Sequence, residues 1–373
     1  MKDRKERMAN LELLRCVAML MVVVLHFLGK GGLLPELTED GLEPAGVLAW
    51  GLEGLCIVAV NVYMLISGYF LCLSSFKLSR LLQLYLQVWV YSVFFGLLGP
   101  ALGVMAENTF DVHYLLTLVF PVTMGHYWFI TAYVFLYLLL PFVGMAAARM
   151  TKRQLQIGIG GLLAVFCLSK SVLPVRLEMD GQGYDCLWYL CVFLCAAYAR
   201  RFGMGFLENK WRSLALYLGC WVLTMAVTFG LRACYLHTGK LGRMLKLCLE
   251  YNHIFTFLGA LGLFGFFKGL QVSGKMAVVI RGIAPYTLGV YLLHENLGFR
   301  YSWQQWLGAG KLQSPAGLLL GTVAAAVTVF ACGILTDFFR VRLFGLCHRC
   351  LLRLGLYRRL TERVETADRE MRA

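Results

Sequence analysis

The chain has 373 residues and a formal net charge of +14 at pH 7, from 35 Lys and Arg against 21 Asp and Glu. It is 59% hydrophobic and 15% charged, with a mean hydropathy of +0.68, which excludes an ordinary soluble domain and marks an integral membrane protein in a lipid bilayer. The basic excess sits in short segments between apolar stretches rather than on one soluble surface, so no nucleic acid is expected as a partner.

Lys2, Arg4, Lys5 and Arg7 precede the first apolar stretch, and no small-residue cleavage site follows at Gly29 to Leu34. The expectation is a retained first helix rather than a signal peptide. Stretches of spanning length recur near 11–28, 45–73, 81–105, 127–148, 155–174, 186–200, 213–236, 250–267, 283–298 and 316–337, which predicts about ten transmembrane helices. With the N-terminus inside, the inner segments hold 25 basic residues. The outer ones hold 9: Lys30, Lys170, Arg176, Arg232, Lys240, Arg243, Lys246, Arg300 and Lys311. That bias predicts an even number of spans and both termini in the cytoplasm. Residues 110–122 are too short to cross and are expected at the outer surface or dipping in part way. The fold class read from this pattern is an all-α bundle, with residues 1–340 as the transmembrane domain and 341–373 as a basic, amphipathic cytoplasmic tail.

The apolar run of the first span is interrupted by Arg15 and, after ten residues, by His26. Eleven helical positions correspond to about 1100° of turn and about 16.5 Å of rise, so the two share a face within about 20°. An arginine inside a bilayer is costly and is kept where it faces protein, a polar cavity or a ligand. Guanidinium suits phosphate and imidazole suits proton transfer, so the pair points to a site; the bland alternative is a paired arginine beside a carbonyl-bonded histidine. Glu53, Asn61, His253, His294 and Glu295 are the other polar candidates within or at the ends of spans. By helical rise, His294 and His26 reach comparable depth, about 16 and 22 Å from the inner side, with Glu295 and Glu53 as candidate orienting carboxylates. At the inner mouth Lys77 and Arg80 stand three apart, which reads either as a phosphate-binding pair or as an ordinary positive-inside anchor. The 13 cysteines fall mostly in apolar spans, and Cys347-His348-Arg349-Cys350 lacks a second pair, so neither a disulfide framework nor a metal is expected.

Four stretches resemble acyltransferase family 3: Arg15 with His26, the run Asn61 to Phe70, the run Tyr127 to Tyr137, and Leu288-Gly-Val-Tyr-Leu-Leu-His-Glu-Asn296. They are collinear from about residue 8 to residue 340. The resemblance implies a membrane enzyme that moves an acyl group, commonly acetyl from cytoplasmic acetyl-CoA, onto a hydroxyl of a glycan or other envelope molecule in a bacterial cytoplasmic membrane. It carries an essential role over to Arg15 and His26. The family's basic Arg-x-x-Arg motif reads Lys77-Leu-Ser-Arg80 here, and lysine loses the bidentate phosphate geometry of arginine. Tyr133 stands where many members have a glutamate.

The expected mechanism has Lys77, Arg80 and Arg15 holding the acetyl-CoA, and His26 acting as base or transient acyl carrier, with His294 as a further candidate at comparable depth and Glu295 or Glu53 as a candidate orienting carboxylate. Rival readings are a transporter of small polar solutes, which lacks a detectable internal repeat, and a non-catalytic partner in envelope-polysaccharide synthesis. Tyr301, Trp303 and Trp306 are expected at the outer surface, as an interfacial belt or as the border of the acceptor's entrance.

Overall fold

The structure is a computed structural model that describes residues 8–104, 110–172 and 180–371. Lys2, Arg4, Lys5, Arg7 and Arg176, counted above among the flanking basic residues, lie outside the described residues. Among those described, every regular element is helical: α1 (Ala9–Lys30), α2 (Pro44–Cys56), α3 (Ala59–Leu71), α4 (Leu78–Ala101), α5 (Val112–Val119) and α6 (Trp128–Arg149). There follow α7 (Lys152–Leu163), α8 (Ser169–Val172), α9 (Cys186–Phe202), α10 (Lys210–Thr238), α11 (Ile254–Lys268) and α12 (Gly274–Ile283). The last are α13 (Thr287–His294), α14 (Trp303–Trp306), α15 (Pro315–Leu351) and α16 (Gly355–Glu370).

Nine segments among the described residues are long and apolar enough to cross a membrane. Two of these, Pro44–Leu71 and Gly274–His294, are broken into α2–α3 and α12–α13. The remaining predicted span is α9, whose 17 residues fall short of that length because both ends are fixed locally. Asp185 caps its start by accepting from the Trp188 amide at 2.9 Å, and Gly203 turns the chain away at φ 80°. It is nonetheless deeply packed: Trp188, Tyr189 and Phe193 are buried, and Gly68 of α3 lies so close that an added Cβ would meet Ala196 at 2.8 Å. Small residues at a crossing let two helices approach where lipid supplies no hydrophobic driving force.

Helix α1 is the hub, packed against α2, α3, α11, α12, α13 and α15. Leu11, Leu14, Ala18, Val23, Phe27 and Leu28 are fully buried on it. Antiparallel α10 and α11 form the tightest hairpin, where a Cβ on Gly262 would lie 2.7 Å from the Ser213 carbonyl oxygen. Asn61 is fully buried on α3 and accounts for both ends of its amide: it donates to the Tyr251 carbonyl at 2.7 Å and accepts from the Trp188 indole at 2.8 Å. One polar side chain thereby ties α3, α9 and the approach to α11, and leaving those partners unpaired would cost about 1–3 kcal/mol.

Helix α5 lies along α4, with the Tyr114 hydroxyl donating to the Gly96 carbonyl at 2.6 Å, while Val112, Leu115, Leu116 and Val119 are exposed. An exposed apolar face on so short a helix is the interfacial geometry expected of this segment. Helix α15 runs unbroken past Arg340, and the tail's amphipathic helix is α16. Asp368 of α16 accepts from the Ser79 amide at 3.2 Å and from its hydroxyl at 2.5 Å, docking the tail at the start of α4.

Candidate active site

Two ends of the bundle are defined by α1, which runs from Arg15 to His26 and Lys30. At the His26 end α13 terminates against α1. His26 Nδ1 lies 2.9 Å from His294 Nε2 and 3.2 Å from Glu295 Oε1, and the Lys30 ammonium is bonded to that same carboxylate oxygen. His294 and Glu295 are buried, with 3% and 4% exposure, whereas His26 is half-buried.

The hydrogen-bond partners fix the tautomers. His294 Nδ1 lies 2.6 Å from the Val290 carbonyl, which only accepts, so Nδ1 carries the proton and Nε2 is bare. His26 Nδ1 faces that bare nitrogen and a carboxylate oxygen, both acceptors, so it carries a proton in turn. The remaining nitrogen, His26 Nε2, is left with its lone pair. A histidine oriented through one nitrogen by a carboxylate and free at the other is the arrangement of a general base.

The short α13 ends here because its last carbonyls are taken by side chains from elsewhere. Tyr127 Oη donates to the Leu292 carbonyl at 2.9 Å and the Trp303 indole to the His294 carbonyl at 3.1 Å. The Arg300 guanidinium donates to the Glu295 carbonyl at 2.8 Å and to that of His126 at 2.8 Å. Fully buried Asn296 donates to the Tyr91 carbonyl and accepts from the Gly298 amide, both at 2.9 Å. Trp303, expected at the surface, is buried and stacked on Phe27; Tyr301 and Trp306 are exposed.

At the Arg15 end a cavity of about 300 Å³ is lined by Arg15, Tyr63, Ser67, Arg80, Tyr133 and Tyr137 among others. Arg15 is paired with Glu12 at 2.8 Å but keeps a quarter of its side chain accessible. Lys77 stands off that wall at the N-cap of α4, its backbone bonded to the Tyr137 hydroxyl at 3.2 Å. Tyr133 sits on one face of α6 in a ladder with Phe129 and Tyr137, ring centroids 6.4 and 6.3 Å apart. A second, narrow cavity of about 40 Å³ reaches His26 and shares Tyr63, Phe129 and Leu288 with the first. Arg15 and His26 thus line two neighbouring cavities that share three wall residues.

Glu53 takes no part in the cluster; its Oε2 is buried with no hydrogen-bond partner. His253 caps α11, accepting from the Phe255 amide at 3.3 Å. Lys30 was legible only as a flanking cation, although its position four residues after His26 puts both on one face. His26, His294 and Glu295 offer three ligand-type atoms within 4.8 Å of one another. Two imidazoles on one tetrahedral zinc, each about 2.0–2.1 Å from it, would hold their nitrogens about 3.3 Å apart. The 2.9 Å separation is instead that of a hydrogen bond, and the carboxylate is already neutralised by Lys30.

Comparison with curated proteins and with solved structures gives no match. A family model described as an acyltransferase domain matches residues 8–337, from the start of α1 to the interior of α15, and thus spans both cavities and the histidine cluster. The chain belongs to acyltransferase family 3 and is a membrane acyltransferase.

Proposed function

We propose that the protein transfers an acyl group, acetyl in the simplest case, from acyl-CoA to a hydroxyl of an extracytoplasmic glycan or other envelope molecule in a bacterial cytoplasmic membrane. The observation that carries this reading is His26, with its Nε2 free, lining one cavity beside a second that is lined by Arg15 and Arg80 and shares Tyr63, Phe129 and Leu288 with it. The nucleotide phosphates of acyl-CoA bind the two guanidinium groups at the Arg15 end, which on the charge bias of the flanking segments is the cytoplasmic one. The thin pantetheine arm passes the neck at Tyr63, Phe129 and Leu288 and brings the thioester to His26.

His26 Nε2 takes the proton of the acceptor hydroxyl as its oxygen bonds to the thioester carbon. Collapse of the tetrahedral intermediate breaks the carbon–sulfur bond, and the CoA thiolate leaves with the proton returned from His26. Through that cycle the Glu295 carboxylate and His294 hold Nδ1–H, and Glu295 offsets the transient imidazolium, which a positioned base needs for its roughly 10²–10⁴-fold contribution. Lys30 keeps the carboxylate in its ionised form. Tyr133 gives the cavity wall an aromatic surface at the position where the family resemblance implies a glutamate in many members, so the proton work is assigned to His26 and Glu295.

The test uses sealed proteoliposomes with acetyl-CoA on one face and a membrane-impermeant hydroxyl acceptor on the other. Acetylated product forms only with CoA on the Arg80 face and the acceptor on the opposite one. Equal product with both reagents on the Arg80 face would overturn the two-sided reading.

A further inference from the structure

The first turn of α4 has no cap of its own. Lys77 stands at the N-cap with extended backbone and a side chain that cannot accept a hydrogen bond. The bond that opens the helix, from the Leu81 amide to the Lys77 carbonyl, is long at 3.4 Å. Arg80, which lines the cavity of about 300 Å³, belongs to this turn. Its placement therefore depends on what fixes the turn from outside.

Two side chains from two other helices do so. The Tyr137 hydroxyl of α6 accepts from the Lys77 amide and donates to the Lys77 carbonyl, each at 3.2 Å. Asp368 of α16 supplies the missing cap: Oδ1 accepts from the Ser79 amide at 3.2 Å and Oδ2 from the Ser79 hydroxyl at 2.5 Å. A carboxylate there also suits the positive end of the α4 dipole. Tyr137 itself lines the cavity, so Lys77 is pinned by the cavity wall and Ser79 by the tail, with Arg80 next in the chain.

The tail is seated by this contact. Asp368 is the buried residue of α16, whereas Leu356 and Leu360 are 73% and 50% exposed. A helix that leaves leucines outside and buries a carboxylate is held by polar bonds rather than by an apolar core. Helix α16 also lies beyond the matched residues 8–337, so the cap on α4 comes from outside the family domain.

We infer that Asp368 is a positioning residue for the acyl donor: by capping α4 it holds the Arg80 guanidinium at the cavity wall, which makes the C-terminal helix part of the donor site. The inference rests on the reading above that Arg80 binds the donor's phosphates. Without Asp368 the Ser79 amide and hydroxyl turn to water, the first turn frays, and Arg80 samples positions off the wall. Donor binding weakens while the chemistry at His26 is untouched.

The experiment uses the full chain in lipid nanodiscs, with acetyl-CoA as titrant in calorimetry and amide hydrogen exchange read on the peptide that spans the start of α4. Asp368→Ala should weaken acetyl-CoA binding by about three- to tenfold, the loss of an N-cap expressed as an equilibrium constant. Exchange at Ser79 and Arg80 should quicken by a similar factor, while the thermal midpoint stays within about 2 °C. Asp368→Asn, whose side-chain carbonyl still caps, should keep wild-type affinity and protection. Unchanged exchange in Asp368→Ala, or faster exchange with unchanged affinity, overturns the inference and leaves the donor reading standing. So does tighter binding in Asp368→Ala, which would make the carboxylate a competitor of the phosphates. Asp368→Asn behaving like Asp368→Ala would assign the effect to charge rather than capping, and also overturns it. A wild-type protein that binds no acetyl-CoA overturns the donor reading itself, and this inference with it.

Discussion

Lys30 and His26 lie one helical turn apart on α1 and share one partner, Glu295 Oε1: the Lys30 ammonium is bonded to it and His26 Nδ1 stands 3.2 Å away. The carboxylate is 4% exposed, so its charge depends on that ammonium. Lys30→Met removes the counter-charge and leaves the carboxylate stranded, at a cost of about 3–5 kcal/mol for a buried pair broken on one side. The expected outcome is a lower thermal midpoint in detergent together with lost acyl transfer. Adding Glu295→Gln to that variant should recover the thermal midpoint and leave activity lost. Activity restored along with stability would remove Glu295 from the orienting role.

At the Arg15 end the cavity wall separates two cations that stand three apart in the sequence. Arg80 lines it and Lys77 does not. Arg80→Ala should raise the KM for acetyl-CoA about tenfold with kcat little changed, whereas Lys77→Ala should stay within about twofold. Steady-state kinetics on both variants checks the ordering, and a larger effect at Lys77 would contradict it.

Tyr63, Phe129 and Leu288 line both cavities, and the proposed path of the acyl-CoA runs between them. Leu288→Trp adds volume where the pantetheine arm passes, and should lower kcat by at least about 100-fold through misplacement of the thioester. Binding of CoA itself, measured by calorimetry, should persist because Arg80 and Arg15 are untouched. Wild-type kcat in this variant would mean that the thioester does not travel this way.

A chelator distinguishes the two chemistries open to His26, His294 and Glu295. The hydrogen-bond separation of the imidazoles predicts that 1,10-phenanthroline or EDTA leaves acyl transfer unchanged in protein purified without added metal. Loss of activity that returns on adding zinc would make the cluster a metal centre.

The sequence carried the bundle and the one-sided character of α1, because hydropathy and helical periodicity are local properties. Arg15 and His26 on one face could be counted from spacing alone. That His294 and Glu295 close on His26 could not, since 268 residues separate the two histidines and only the packing of α13 on α1 brings them together. Trp303 shows the same limit from the other side: its composition and position read as an interfacial belt, while the structure uses its indole to cap the α13 carbonyl of His294. Asn61 is an intermediate case, a polar residue in a span whose presence was conspicuous and whose partners, Trp188 and Tyr251, lie far along the chain. The span count differs by one at α9, because the helix between the Asp185 cap and Gly203 has only 17 residues, nearly as short as the apolar run that predicted it.

The central claim is that His26 Nε2 is the base for acyl transfer, and replacing that imidazole in the intact membrane protein tests it most directly. His26→Ala, reconstituted with radiolabelled acetyl-CoA and the acceptor that serves the wild type, should elute as a monodisperse species with wild-type CoA binding. Its acyl transfer should be lower by about 10²–10⁴-fold, the contribution of a positioned general base. Transfer at the wild-type rate by this well-folded variant would contradict the account.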